Sequence, residues 1–165
     1  MSGAWLWATA AWARPGVEAI CLDLQNRHGQ CPPLLLWRLW AVDAGRSVTP
    51  QASDIAVRTT LTWHQTVVTP LRAARRGLAE SSGLIDDAGR LALRGQTRAA
   101  ELAAERLLIE ALEGLASAPS DEPSDAAAAL RAIAAAWGGQ APAGRLDDLI
   151  RAVAGEATGP RLPPP

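Results

Sequence analysis

The chain has 165 residues, 48% of them hydrophobic and 20% charged, with a formal net charge of −1. A domain of this length buries about two thirds of its unfolded surface and needs neither metal nor disulfide to hold a core. No apolar run reaches the roughly 18 residues that a membrane span needs, so no membrane partner is expected; the longest, Leu34 to Trp37, stops at Arg38.

The N-terminal stretch up to Ala13 is apolar, yet no basic residue precedes it and the first charge is Arg14, so it reads as a structural helix in a cytoplasmic protein. Within it Trp5, Ala8, Thr9 and Trp12 share one helical face and Trp7 lies off it. Arg14-Pro15-Gly16 ends this helix and opens a second, whose stripe is Val17, Ile20, Cys21 and Leu24. Arg27 and His28 fall in its last turn, where positive charge is favoured, and Gly29 stops it. Pro32-Pro33 opens a third helix to Asp43 with Arg38 as its one charge before that Asp, an all-round apolar pattern that belongs at the centre of a core.

Thr49-Pro50 supplies a cap and first-turn pair for a fourth helix, in which Ala52, Ile55, Ala56, Thr59, Trp63, Val67, Pro70, Ala74 and Leu78 recur in steps of three and four. The Val and Thr content of 57–69 favours strand, but the sustained period favours helix, with a kink or break expected near Pro70. After the Ser81-Ser82-Gly83 turn, Asp86 or Asp87 caps a helix to about Ala116, with Leu93, Ala100, Ala104, Leu107, Ala111 and Leu115 as its expected inward stripe. The fold class is therefore all-α, a compact bundle of about five helices over residues 1–116. Residues 117–165 read as a linker at Pro119–Pro123 and a loosely attached Ala/Pro-rich tail, with short helices near 125–137 (behind a Ser124 cap) and 145–154 and a disordered end from Gly159 to Pro165.

The run Ala13-Arg14-Pro15-Gly16-Val17-Glu18-Ala19, then Cys21-Leu22, Leu24-Gln25, Arg27-His28-Gly29 and Leu34-Leu35-Leu36-Trp37, resembles a family of short uncharacterised proteobacterial proteins, a domain of unknown function. The resemblance continues through Trp63, Val67-Val68, Pro70-Leu71-Arg72 and Arg75-Arg76 and covers roughly residues 4 to 115. It implies an all-helical cytoplasmic bacterial protein without a known cofactor. Where family members tend to read Gly-x-Asp-Val-Asn, this chain has Gly29-Gln30-Cys31-Pro32-Pro33, so that Asp and Asn have no counterpart here.

Chemistry-bearing motifs are few. Cys21 and Cys31 lack CxxC spacing and read as buried thiols, and together with His28 and His64 they match no zinc module. Neither a GxSxG elbow nor a Walker A or GxGxxG loop occurs, so no catalytic, cofactor-binding or metal-ligating residue is assigned.

Charge layout is more informative. Residues 70–98 hold six Arg against three acids, and residues 99–165 hold ten acids against five Arg. Arg72, Arg75 and Arg76 share one helical face, and Arg90, Arg94 and Arg98 form an i, i+4, i+8 row. These guanidiniums either pair with Asp86, Asp87, Glu101 and Glu105 or form a patch for an anionic partner. A sequence pI near 6.1 and the absence of Phe and Tyr for base stacking favour an acidic protein surface over nucleic acid. Trp7 joins the Arg rows as a candidate contact if it is exposed. The alternative is a small-molecule or enzymatic bundle with a pocket formed where Glu18, Arg38, Trp63 and His64 converge.

Overall fold

The computed structural model describes residues 3–119 and 125–155. Helices α1 (Gly3–Trp12), α2 (Val17–His28) and α3 (Pro32–Asp43) follow one another through short turns. α4 (Pro50–Trp63) passes through a π-helical turn, His64–Val68, into α5 (Thr69–Gly77) without leaving right-handed helical backbone, so the three segments form one rod. α6 (Asp87–Glu113), α7 (Ala126–Trp137) and α8 (Ala143–Ala154) complete the described helices. The class is all-α, with seven rods among the described residues instead of about five. The linker residues 120–123, the Ser124 cap and the Gly159–Pro165 end lie outside the described residues.

α3 is the centre, as its all-round apolar sequence requires: Leu34, Leu35, Leu36, Trp37, Leu39, Trp40 and Ala41 are all buried, and α1, α6 and α7 pack around it. α1 meets this core through Ala4, Ala8 and Ala11, whose small side chains permit close approach while Trp5 and Trp12 flank the seam. Its first turn is capped from a distance: the Glu113 carboxylate accepts from the Gly3 and Ala4 N–H groups at 3.3 and 3.2 Å, a negative charge at the positive end of the helix.

The two helices expected to hang loosely at the C-terminus are instead full members of the core. Leu130, Ile133, Leu146 and Leu149 are buried in the same cluster as Leu24 and Leu34. Each such side chain removed from water contributes about 1.5–3 kcal/mol before entropy is counted, far more than a loose tail would gain. Polar contacts fasten the same joint. Gln30 Nε2 donates to the Gly138 and Gln140 carbonyls at 2.8 and 3.0 Å, the Trp137 indole N–H donates to Gly29 O at 2.9 Å, and Arg145 pairs with Asp23 at 2.9 Å. Gly139 sits at φ +74, where a Cβ would lie 2.7 Å from His28 O, so this approach of the α7–α8 turn to the end of α2 requires glycine.

Capping follows the sequence signals closely. Thr49 Oγ1 accepts from Ala52 N at 3.1 Å, and Asp86 accepts from Gly89 N at 2.7 Å. For α7 the cap is Asp125, one residue after the expected Ser124, accepting from Ala127 N at 2.9 Å. The irregularity expected near Pro70 is present one turn earlier, as the π turn at 64–68. Proline offers no N–H to the carbonyl four residues before it, and the preceding turn widens while the rod continues.

The inward stripe expected for α6 is displaced. Of Leu93, Ala100, Ala104, Leu107, Ala111 and Leu115, only Ala104 is buried, and Leu93 and Leu107 are 50% and 56% exposed. The buried face carries Arg90, Glu101, Ala104, Leu108, Ile109 and Leu112. No helix of the described residues is long and apolar enough to cross a membrane.

Candidate functional site

α5 and α6 pack side by side, which brings the two Arg rows together. Three of the six guanidiniums are used to hold this pair of helices. Glu101, only 8% exposed, accepts from Arg72 Nε at 2.8 Å and from Arg75 Nε at 2.7 Å, and Arg72 reaches Glu105 at 3.3 Å. Arg90 is buried: Nη1 donates to the carbonyls of Leu78 and Ala79 at 2.6 and 3.1 Å and Nη2 pairs with Asp87 at 2.9 Å. Arg90 therefore ties the end of α5 to the start of α6 and is not surface available to a partner.

The carboxylates of this cluster respond in opposite directions. Burial pushes Glu101 up, but the hydrogen bonds from Arg75 and Arg72 and their charges outweigh it and hold the group below the usual glutamate value. Glu105 is pushed up by burial, with Glu101 adding to the rise while Arg72 and Arg75 oppose it.

Arg76, Arg94 and Arg98 have no ion pair among the described residues, and all three line one groove of about 510 Å³. Arg76 and Arg98 are exposed; Arg94 is half-buried, and its Nε is enclosed without a hydrogen-bond partner. Across from them the groove is walled by Trp5, Thr9 and Trp12 of α1, by Glu18, Leu22, Gln25 and Asn26 of α2, and by Pro32, Pro33 and Leu36 at the start of α3. Leu102, 55% exposed, and the buried Ile109 continue the apolar lining on the α6 side. The walls differ in sign. The α5–α6 side carries five guanidiniums and the carboxylates of Glu101 and Glu105, which engage Arg72 and Arg75, whereas Glu18 is the one acidic side chain of the α1–α3 side.

Of the other expected contacts, Trp7 is half-buried against the core and its indole N–H donates to Asp43 at 2.7 Å, on α3 and away from the groove. The alternative pocket is not assembled. Glu18 lines the Arg groove, whereas the Trp63 indole donates to Ala104 O at 2.9 Å and lines a separate shallow groove with Arg58 and Leu107. His64 meets the Trp137 ring edge-on at 5.9 Å and its Nδ1 lies 3.1 Å from Thr69 Oγ1; burial and then the charge of Arg72 hold it below the ordinary imidazole value. Arg38 is half-buried on α3, its Nη1 enclosed without a partner.

The apolar wall is not legible in the sequence, although spacing puts Trp5 and Trp12 on one face. Nothing local in the sequence indicates that this face would meet α5 and α6. Both cysteines are buried free thiols, pushed up to about 12 by burial. Among the described residues no three His, Cys, Asp or Glu side chains gather in a way that could hold a metal ion.

No curated protein and no solved structure matches the chain. One family model does, over residues 3–112, a span that includes every residue lining the Arg groove from Trp5 to Ile109. The chain belongs to the family described as Protein of unknown function (DUF2390).

Proposed function

We propose that the protein is a cytoplasmic binding module that captures an acidic protein partner in the Arg-lined groove between α1–α3 and α5–α6. The observation that carries this reading is the convergence of Arg76, Arg94 and Arg98, none ion-paired among the described residues, on a single groove with Trp5 and Trp12. Side chains that merely solvate a helix face gain nothing from gathering, because like charges at close range repel. A carboxylate placed among them relieves that repulsion and takes directional hydrogen bonds from planar guanidinium donors.

Calorimetric titration with a glutamate oligomer tests the reading. Binding is expected at about 50 mM salt and is expected to weaken at least about tenfold near 500 mM, where the screening length falls below the groove's dimensions. Reversing Arg76 and Arg98 to Glu is expected to abolish it, while Arg14→Glu with Arg58→Glu, the same charge change on exposed residues outside the groove, leaves it in place. Equal loss in both double variants would reduce the effect to net charge and overturn the reading.

A further inference from the structure

We infer that the segment taken by this groove is amphipathic: a short helical stretch of a partner protein, with acids along one edge and bulky apolar side chains along the other. This rests on the acid-capture reading and adds what lies between the charges. The groove follows α6 from Arg94 to Ile109, sixteen residues and about 22 Å at the helical rise, which matches about four turns of a docked helix. A volume of about 510 Å³ takes a few inserted side chains, not a whole backbone, as in recognition of a helix lying across a groove.

The unequal walls set the orientation. On the α5–α6 side Arg76, Arg94 and Arg98 receive carboxylates. On the other side the half-buried Trp12 and the exposed Leu22 offer apolar surface, and Glu18 repels an acid placed there. Leu102 gains a partner in the same step, since it projects into the groove from among the guanidiniums while about half exposed. A purely acidic chain would leave this apolar surface in water; a purely apolar one would strand three unpaired guanidiniums.

Panning a displayed library of random peptides on the intact protein tests the inference. The expected clones combine acids with Leu, Ile, Phe or Trp at spacings of three and four. Leu102→Ser, an exposed position whose change leaves the fold intact, is expected to weaken a selected peptide about tenfold, the loss of one apolar contact of this size. Trp12→Ala is expected to erase the apolar preference and keep the acidic one, with circular dichroism confirming that it folds. Clones rich in acids with no apolar preference would overturn the amphipathic segment and leave the acid-capture reading standing. No enrichment over an unrelated helical protein would overturn both.

Discussion

Replacing Arg90 by Ala separates a guanidinium that builds the fold from those that line the groove. Arg90 is 8% exposed and holds two carbonyls of the turn that ends α5, Leu78 O and Ala79 O, while its pair with Asp87 lies at the solvent edge. Each carbonyl left without its partner costs about 1 to 3 kcal/mol when water cannot replace it. Ala79 is exposed and Leu78 half-buried, so water re-solvates them in part and the lower end applies, about 1 kcal/mol each. The exposed Asp87 pair adds little. Loss of the packed aliphatic stem brings the total to about 2–3 kcal/mol, or about 5–10 °C in Tm for a chain of this size. Urea and thermal melts followed by circular dichroism measure this, with the glutamate-oligomer titration repeated on the folded variant. An unchanged Tm, or weakened acid capture in a variant of full stability, would refute the assignment of Arg90 to the fold.

Glu101→Gln is expected to cost about 2–3 kcal/mol at neutral pH because it removes the charge shared by Arg72 and Arg75, whereas Glu105→Gln is expected to be neutral or stabilising. The pH signs agree: Glu101, held low in the folded state, contributes stability above the ordinary glutamate value that is lost as pH falls through its folded value, and Glu105, held high, has the opposite sign; melts between about pH 3 and 7 on both variants check this. Cys21 and Cys31 are expected to resist an aromatic disulfide reagent at pH 8 in the native protein and to react fully in denaturant, and rapid native labelling would contradict their burial. A chain ending at residue 116 is expected not to fold cooperatively, since it lacks Leu130, Ile133, Leu146 and Leu149; a sharp native-like melt would show that α7 and α8 are dispensable.

Much of the fold is legible in the sequence because its signals are local. Thr49-Pro50, Asp86 and Gly29 mark helix ends through chemistry confined to a few residues, and the apolar character of 34–42, broken by Arg38 alone, places α3 at the centre without reference to any neighbour. The failures occur where the buried side is decided by another helix. On α6 apolar periodicity points to Leu93 and Leu107, but the face that turns inward carries Arg90 and Glu101, which are buried because α5 supplies carbonyls and guanidiniums to satisfy them. On α4 the period is right and Ile55 and Thr59 are nonetheless exposed, while Thr60 is fully buried.

The groove was half legible for the same reason. The Arg rows at 72–76 and 90–98 are visible as charge in sequence, and the pairing of Arg72 and Arg75 with Glu101 follows from placing two helices side by side. That Arg76, Arg94 and Arg98 remain unpaired, and that Trp5 and Trp12 stand opposite them, depends on how α1 and α2 are set across α3, which no short motif encodes. Helices as short as α7 and α8 do not persist alone, so the sequence by itself points to a loose tail; their stability comes from the leucines they insert beneath α2 and α3.

The most direct measurement of the central claim is the nuclear magnetic resonance of the arginine Nε–Hε groups during titration with a glutamate oligomer. Arg76, Arg94 and Arg98 are expected to shift together and saturate with one affinity, while Arg14, Arg27 and Arg58 stay in place. Uniform small shifts across all the exposed arginines, or saturation confined to residues outside the groove, would contradict it.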